Sequence, residues 1–278
     1  MALLAGLFSS LIFGVADFAG GYAARMAPVR MVVAISQVAG LSAVLVAAPI
    51  LGAGDVSPAD FGWGALAGLS GLLALLLFYD GLARGRMSVV SPLAGVTSIG
   101  LPVAFGLVIG ERPSFLAAAG ILLAFPAVGM ISSSSERSPS ALARGGAAHG
   151  LAAGAGFAGF FILISRTGAE SGMWPLVGAR VASIAALGLF LLLRSEFSRP
   201  SRSSMRLIVI AGVADVVANA LFLIAARGTL LIVASVIVSL YPVSTLLLAR
   251  YVLQERTSRV QLAGLAMGAV AVVAIGVG

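Results

Sequence analysis

Three aspartates stand inside long apolar runs: Asp17, Asp80 and Asp215. An ionised side chain at the middle of a membrane helix costs at least about 2.5–3.5 kcal/mol, so each should face protein or a water-filled cavity. There a carboxylate can bind an ammonium group or carry a proton. Pairing with an arginine or capping a kinked helix is the alternative use. Asp80 lies near the end of its run, where plain solvation is the simpler account. Asn219 follows Asp215 by one helical turn and shares its face, with Phe222 close to that stripe. A carboxylate, an amide and a ring suit a polar small molecule with an apolar part; helix-to-helix hydrogen bonding would use the first two equally well. Arg180, about a turn inside its run, could hold a substrate carboxylate by two parallel hydrogen bonds. Snorkelling to the headgroups or neutralising an aspartate are its other uses. Arg250 lies nearer an edge and reads as an anchor.

The elements that must position these residues are membrane helices. The chain has 278 residues, of which 60% are hydrophobic and 10% charged, with mean hydropathy +1.12. Soluble domains carry about 25% charged residues. Runs of about 20 apolar residues recur from end to end, each long enough to span a bilayer. The first lacks a basic start and contains Asp17, so it reads as a retained span, not a secretory signal. The net charge is +7 and every basic residue is Arg. These Arg sit singly or in short loop clusters, the pattern of topology signals and not of a nucleic-acid partner. With no cysteine, disulfides and thiol chemistry are excluded. His149 is the only histidine and has no second ligand type beside it in sequence, so no metal and no cofactor are expected. No nucleotide or hydrolase motif occurs, and the loops are too short for ATP hydrolysis. Aromatic residues make up 7% of the chain, which argues against an aromatic-lined cavity.

Ten spans can be drawn: Leu3–Tyr22, Met31–Leu51, Phe61–Leu82, Ser88–Ile109, Phe115–Ile131, Ala147–Ser165, Pro175–Leu193, Leu207–Ala226, Leu230–Leu253 and Val260–Val277. At a constant offset of 144 residues Gly6-Leu7 matches Gly150-Leu151, Phe13 matches Phe157, Phe78 matches Phe222, and Glu111-Arg112 matches Glu255-Arg256. Ser114 and Ala119-Gly120 match Ser258 and Ala263-Gly264 at the same offset. The chain is one five-span unit written twice, residues 1–132 and 146–278, with a Ser-rich linker over 133–145. Five is odd, so the second copy enters the membrane from the opposite side: an all-α fold of two inverted repeats. Loops after odd-numbered spans hold most of the Arg, and the alternate loops only Arg112, Arg166 and Arg227, which places both termini outside the cytoplasm. Spans four and nine look breakable. Span four carries Pro92, Thr97, Ser98 and Pro102; span nine carries Tyr241-Pro242 among Ser and Thr. Paired interruptions in equivalent helices point to a midplane site or hinge; packing kinks are the alternative. Glu111-Arg112 and Glu255-Arg256 each close a helix just before a Ser able to start the next, and read as interfacial turns held by a local ion pair.

The chain resembles the EamA-type transporters of the drug/metabolite transporter superfamily. The resemblance rests on the fused five-span repeats and the Glu-Arg that ends each fourth helix. It rests also on the junctions Phe78…Ala83-Arg84-Gly85 and Phe222…Ala226-Arg227-Gly228. The second copy follows the family pattern with Tyr241-Pro242 thirteen residues before Glu255. The first departs from it, with Ser98 at the matching place and Pro102 a turn later. The resemblance implies a secondary carrier, often an exporter of metabolites or amino acids, with a central cavity between the halves. Many relatives run the other way up from the Arg count here. The expectation is a carrier of a small-molecule substrate such as an amino acid, lying in the lipid bilayer of a bacterial inner membrane as a monomer or homo-oligomer. It would be driven by protons through Asp17 or Asp215, or uncoupled, and would not be an enzyme. The rivals are an efflux carrier for lipophilic cations, an intramembrane enzyme on lipid-linked substrates, and a non-transporting scaffold or receptor. The enzyme would need a His/Asp/Glu cluster at one membrane face, which one histidine and scattered acids do not supply.

Overall fold

The computed structural model describes residues 1–51, 56–83, 87–132, 147–195, 197–252, 254 and 257–278. The linker over 133–145, Arg84-Gly85, Glu255 and Arg256 lie outside the described residues, as do the side chains of Ser91 and Pro92. The apolar runs fold as α1 (Ala2–Ala24), α2 (Val29–Leu51), α3 (Pro58–Ala83), α4 (Met87–Val108), α5 (Phe115–Ile131) and α6 (Ala147–Ile164). Then come α7 (Trp174–Arg194), α8 (Arg202–Gly228), α9 (Leu231–Val238), α10 (Pro242–Val252) and α11 (Arg259–Val277). Seven stretches, α9 and α10 taken as one, are long and apolar enough to cross a membrane; 93–108, 115–131 and 148–164 are apolar and shorter. Serine hydroxyls cap the starts of α5, α8 and α11. Ser114 accepts from the Ala117 N–H at 3.1 Å, and Ser258 forms a capping box with Gln261. Large apolar side chains such as Leu122, Leu193 and Val46 point outward, the surface a bilayer solvates.

The helices pair so that exchanging the halves leaves the pattern unchanged. Against each other lie α1 and α8, and likewise α3 and α6; α2 and α8, and likewise α3 and α7; α5 pairs with its own counterpart α11. That last pair runs antiparallel, Gly120 meeting Ala271 and Ile275 while Gly264 meets Ala127 and Met130, as two inverted copies must. The equivalence holds residue by residue at Gly6 and Gly150, and helix by helix at Gly68 and Gly212. Gly6 lies against Ile237 and Gly150 against Leu93, both pairs related by the 144-residue offset. Gly68 lies on the Ala179 carbonyl of α7, and its counterpart Gly212 on the Ser36 carbonyl of α2. Any side chain at either position would occupy the partner's backbone oxygen, so these crossings require glycine.

One expected equivalence fails. The two fourth helices do not both break. α4 runs through Pro102 without interruption, whereas span nine stops at Val238 and restarts at Pro242. Between them the Leu240 and Tyr241 N–H groups bond three residues back, to Ile237 at 3.2 Å and Val238 at 3.1 Å. Pro242 then opens α10, the position where a missing N–H costs least. In α4 the Ser98 hydroxyl turns back onto the Gly95 carbonyl at 2.8 Å, and the helix continues.

Candidate functional site

At mid-depth between the halves lies a cavity of about 50 Å³, lined by α1, α2, α3, α4, α6, α7, α8 and the break after α9. It has room for a few water molecules. Of the sequence-predicted residues it gathers Asp17, Arg180, Asp215, Asn219, Tyr241 and Ser98. Thr97 and Pro102 do not line it; Thr97 packs on Gly154 of α6 and Pro102 is buried. Pro242 contributes by restarting the chain. Asp80 lies elsewhere, its Oδ2 3.5 Å from the Nε2 of His149.

The polar half of the cavity is a network with one member left over. Arg180, buried in α7, donates from Nη2 to Asp215 and from Nη1 to Gln37 of α2. A side chain at Gly40 would press on its guanidinium, so α2 can pass here only as glycine. Asn219 donates from Nδ2 to the Asp215 carbonyl at 2.8 Å and to its carboxylate at 3.1 Å, which fixes the shared face as a hydrogen-bonded pair. Asp215 is thereby neutralised, and Arg180 neutralises an aspartate instead of reaching for a carboxylate in the cavity. Asp17 has no hydrogen bond or ion pair among the described residues, although it interacts electrostatically with Asp215, Tyr79 and Tyr241. Its helix is tied to the break: Ser244 donates to the Ser10 carbonyl and Thr245 to the Gly14 carbonyl, each at 3.3 Å. This brings in Tyr241, whose buried hydroxyl has no partner among the described residues.

The other half of the cavity is aromatic, against expectation. Phe13, Phe157, Phe160 and Phe161 line it, with Phe161 edge-on to Phe13 at 6.1 Å and to Phe160 at 6.0 Å. A low overall aromatic share is compatible with this because the rings are concentrated here. Phe222 is not part of the lining; it is fully buried behind Phe161, with ring centroids 4.4 Å apart. Sequence reasoning missed Gln37, Ser183 and the Phe cluster. Gln37 is an amide in an apolar run, the same signal that singled out Asn219.

The two faces of the membrane differ. At the face of the even-numbered loops the halves are bonded together: Ser171 donates to Asp60 at 2.6 Å and accepts from the Ser57 N–H at 3.2 Å. There too the Glu111 carboxylate accepts the N–H groups of Leu231 and Ile232 at 2.8 and 2.9 Å. The expected Glu111–Arg112 ion pair is absent among the described contacts. The carboxylate caps α9, whose N-cap Leu230 offers no side-chain acceptor, and Arg112 donates to the Leu107 and Glu111 carbonyls instead. Towards the opposite face, one turn further along α3 and α7, lies a second cavity of about 830 Å³ lined by Leu72, Leu76, Leu187 and Phe190, with Arg30 and Asp80.

Known proteins account for this architecture. One solved structure, described only as "Crystal structure of protein", superposes with a TM-score of 0.81 at 18% identity, covering 99% of this chain and 98% of its own. That likeness shows the fold alone. No curated protein matches the chain. The profile of the EamA-like transporter family matches twice, over residues 1–133 and 144–277, one match in each half. This chain is a multi-pass membrane protein and belongs to the EamA-like transporter family.

Proposed function

We propose that the chain is a secondary carrier that moves a small molecule with one polar head and one apolar flank through the cavity between its halves. The observation that carries this reading is that lining. Four cavity positions come as repeat-equivalent pairs, Phe13 with Phe157, Asp17 with Phe161, Gly71 with Asp215, and Leu75 with Asn219. A site built from the same positions of two inverted copies is exposed to opposite faces when the copies rock. The even-loop face is held by bonds between the halves and the opposite face has the larger cavity, so transport requires those bonds to open and the central cavity to widen. Asp17 is the coupling residue, because Asp215 is already bound by Arg180 and Asn219. A proton or the substrate supplies the positive partner that Asp17 lacks. The setting is a bacterial inner membrane, and the reading requires neither a cofactor nor nucleotide hydrolysis.

The test is flux in proteoliposomes, with labelled amino acids, sugars and organic cations, with and without a pH gradient. Saturable movement of one class, lost in Asp17→Asn protein that remains folded, supports the carrier and its site. Movement unchanged by Asp17→Asn removes the assignment to Asp17. No movement of any class by folded protein favours the scaffold reading.

A further inference from the structure

The proposal rests on the carrier reading and concerns the charge of what the site takes. Three charged side chains line the cavity: Asp17, Asp215 and Arg180. Counted with both carboxylates ionised, two of them face one guanidinium, leaving one negative charge for a cation to answer. The charge of Arg180 is already paired. One terminal nitrogen donates to Gln37 and the other to Asp215, so its charge is already answered by a carboxylate. A substrate carboxylate at the guanidinium would have to share its single positive charge with Asp215, leaving two buried carboxylates on one cation. Asp17 presents the opposite case, a carboxylate without a hydrogen-bond partner among the described residues. The other groups that feel its charge are Asp215 on α8 and the tyrosines Tyr79 on α3 and Tyr241 at the break. None of them brings a cation. Tyr241, whose buried hydroxyl has no partner among the described residues, lines the same space. Opposite stand the four phenylalanines, whose faces attract an ammonium group and cover an apolar body.

We infer that the site selects monocationic amines with an apolar or aromatic body and discriminates against the zwitterion of the same skeleton, Asp17 being the specificity-determining residue. An amine brings the one positive charge the cavity lacks and no carboxylate that needs Arg180. An amino acid brings both, and its carboxylate has no counter-charge to meet. Tyr241 contributes a hydroxyl that can accept from the ammonium group or donate to Asp17, and the aromatic wall receives the rest.

The experiment compares three probes on one skeleton: phenethylamine, phenylalanine and hydrocinnamate. Binding to the purified full chain in detergent is followed by titration calorimetry. Expected is phenethylamine binding about ten- to a hundredfold more tightly than phenylalanine, the range of one charge-assisted hydrogen bond, with hydrocinnamate weakest. Asp17→Asn should remove that preference, and Asp17→Glu, which keeps the charge, should retain most of it. Thermal melting of each variant establishes that it is folded. Phenylalanine binding as tightly as phenethylamine overturns the inference. So does a preference that survives Asp17→Asn, or a folded wild-type protein that binds none of the three. The carrier reading fails separately. Amine binding without amine flux keeps the charge rule and removes transport, whereas flux of another class without amine binding does the reverse.

Discussion

The two halves share a backbone plan and disagree about chemistry at the cavity. Where α1 has Asp17, α6 has Phe161; where α8 has Asp215 and Asn219, α3 has Gly71 and Leu75. Arg180 of α7 has Ser36 of α2 as its counterpart. Packing positions behave otherwise, since Gly68 and Gly212 each lie on a backbone carbonyl of the equivalent helix, that of Ala179 in α7 and that of Ser36 in α2. The repeat therefore maintains how helices approach, and function enters where the copies diverge. The charges lie on α1, α7 and α8, while α6 carries three of the four rings, although the fold offers both copies the same positions.

The largest effect should come from forcing the polar wall to imitate the apolar one. Asp215→Gly gives α8 the residue that α3 carries at Gly71 and leaves Arg180 buried with Gln37 alone. Removing one partner of a buried pair costs about 3–5 kcal/mol. The thermal midpoint in detergent should fall accordingly. The double change Arg180→Ser with Asp215→Gly installs the combination that the first half uses at Ser36 and Gly71, and it should recover more than half of the loss. A double variant no better than Asp215→Gly would mean that the polar network is needed for folding, not only for the cavity.

A smaller, symmetrical effect is expected at the crossings. Gly68→Val and Gly212→Val each press a branched side chain onto a backbone carbonyl, of Ala179 and Ser36 respectively. Overpacking of this kind costs about 1–3 kcal/mol. The two losses in melting midpoint should be alike, because equivalent glycines each meet a backbone carbonyl of the equivalent helix. A large loss at one and none at the other would show that the repeat equivalence does not extend to packing energy.

What the sequence made legible follows the same division. Apolar runs near twenty residues and the shared offset of Phe78 with Phe222 or Gly6 with Gly150 are properties of the chain itself, so the helices and the repeat could be read directly. Asp17 and Asp215 announced themselves because charge in hydrocarbon is costly wherever it occurs. That Arg180 binds Asp215 while Asp17 has no such partner depends on which helices cross, and α7 meets α8 through α2 only in three dimensions. Phe157, Phe160 and Phe161 look like ordinary membrane-helix residues until α6 is placed beside α3 and α4. The unequal fates of Pro102 and Pro242 were hidden for a related reason. Proline loosens a helix, but the contacts around it decide whether the helix bends or breaks.

The finest test of the comparison lies at Glu111, where one half grips the other. Its carboxylate satisfies two N–H groups at the start of α9, which would otherwise have no side-chain acceptor. Glu111→Ala should destabilise the protein by about 1 kcal/mol, the cost of a lost N-cap. Its more telling consequence is access. α9 leads into the break that carries Tyr241, and freeing its start should let the even-loop face open more often. The chain has no cysteine, so Ser98→Cys supplies a single cavity thiol on an empty background. Labelling of that thiol by a membrane-impermeant reagent from the even-loop face should quicken several-fold with Glu111→Ala, about what 1 kcal/mol is worth in an equilibrium. An unchanged rate would make Glu111 a local cap and not a clasp between the halves. Glu255→Ala is the change 144 residues on. If labelling from the opposite face quickens equally, each copy holds the other by the same device. If only Glu111 matters, the asymmetry of the cavity extends to its closures, and one face opens by a different set of contacts from the other.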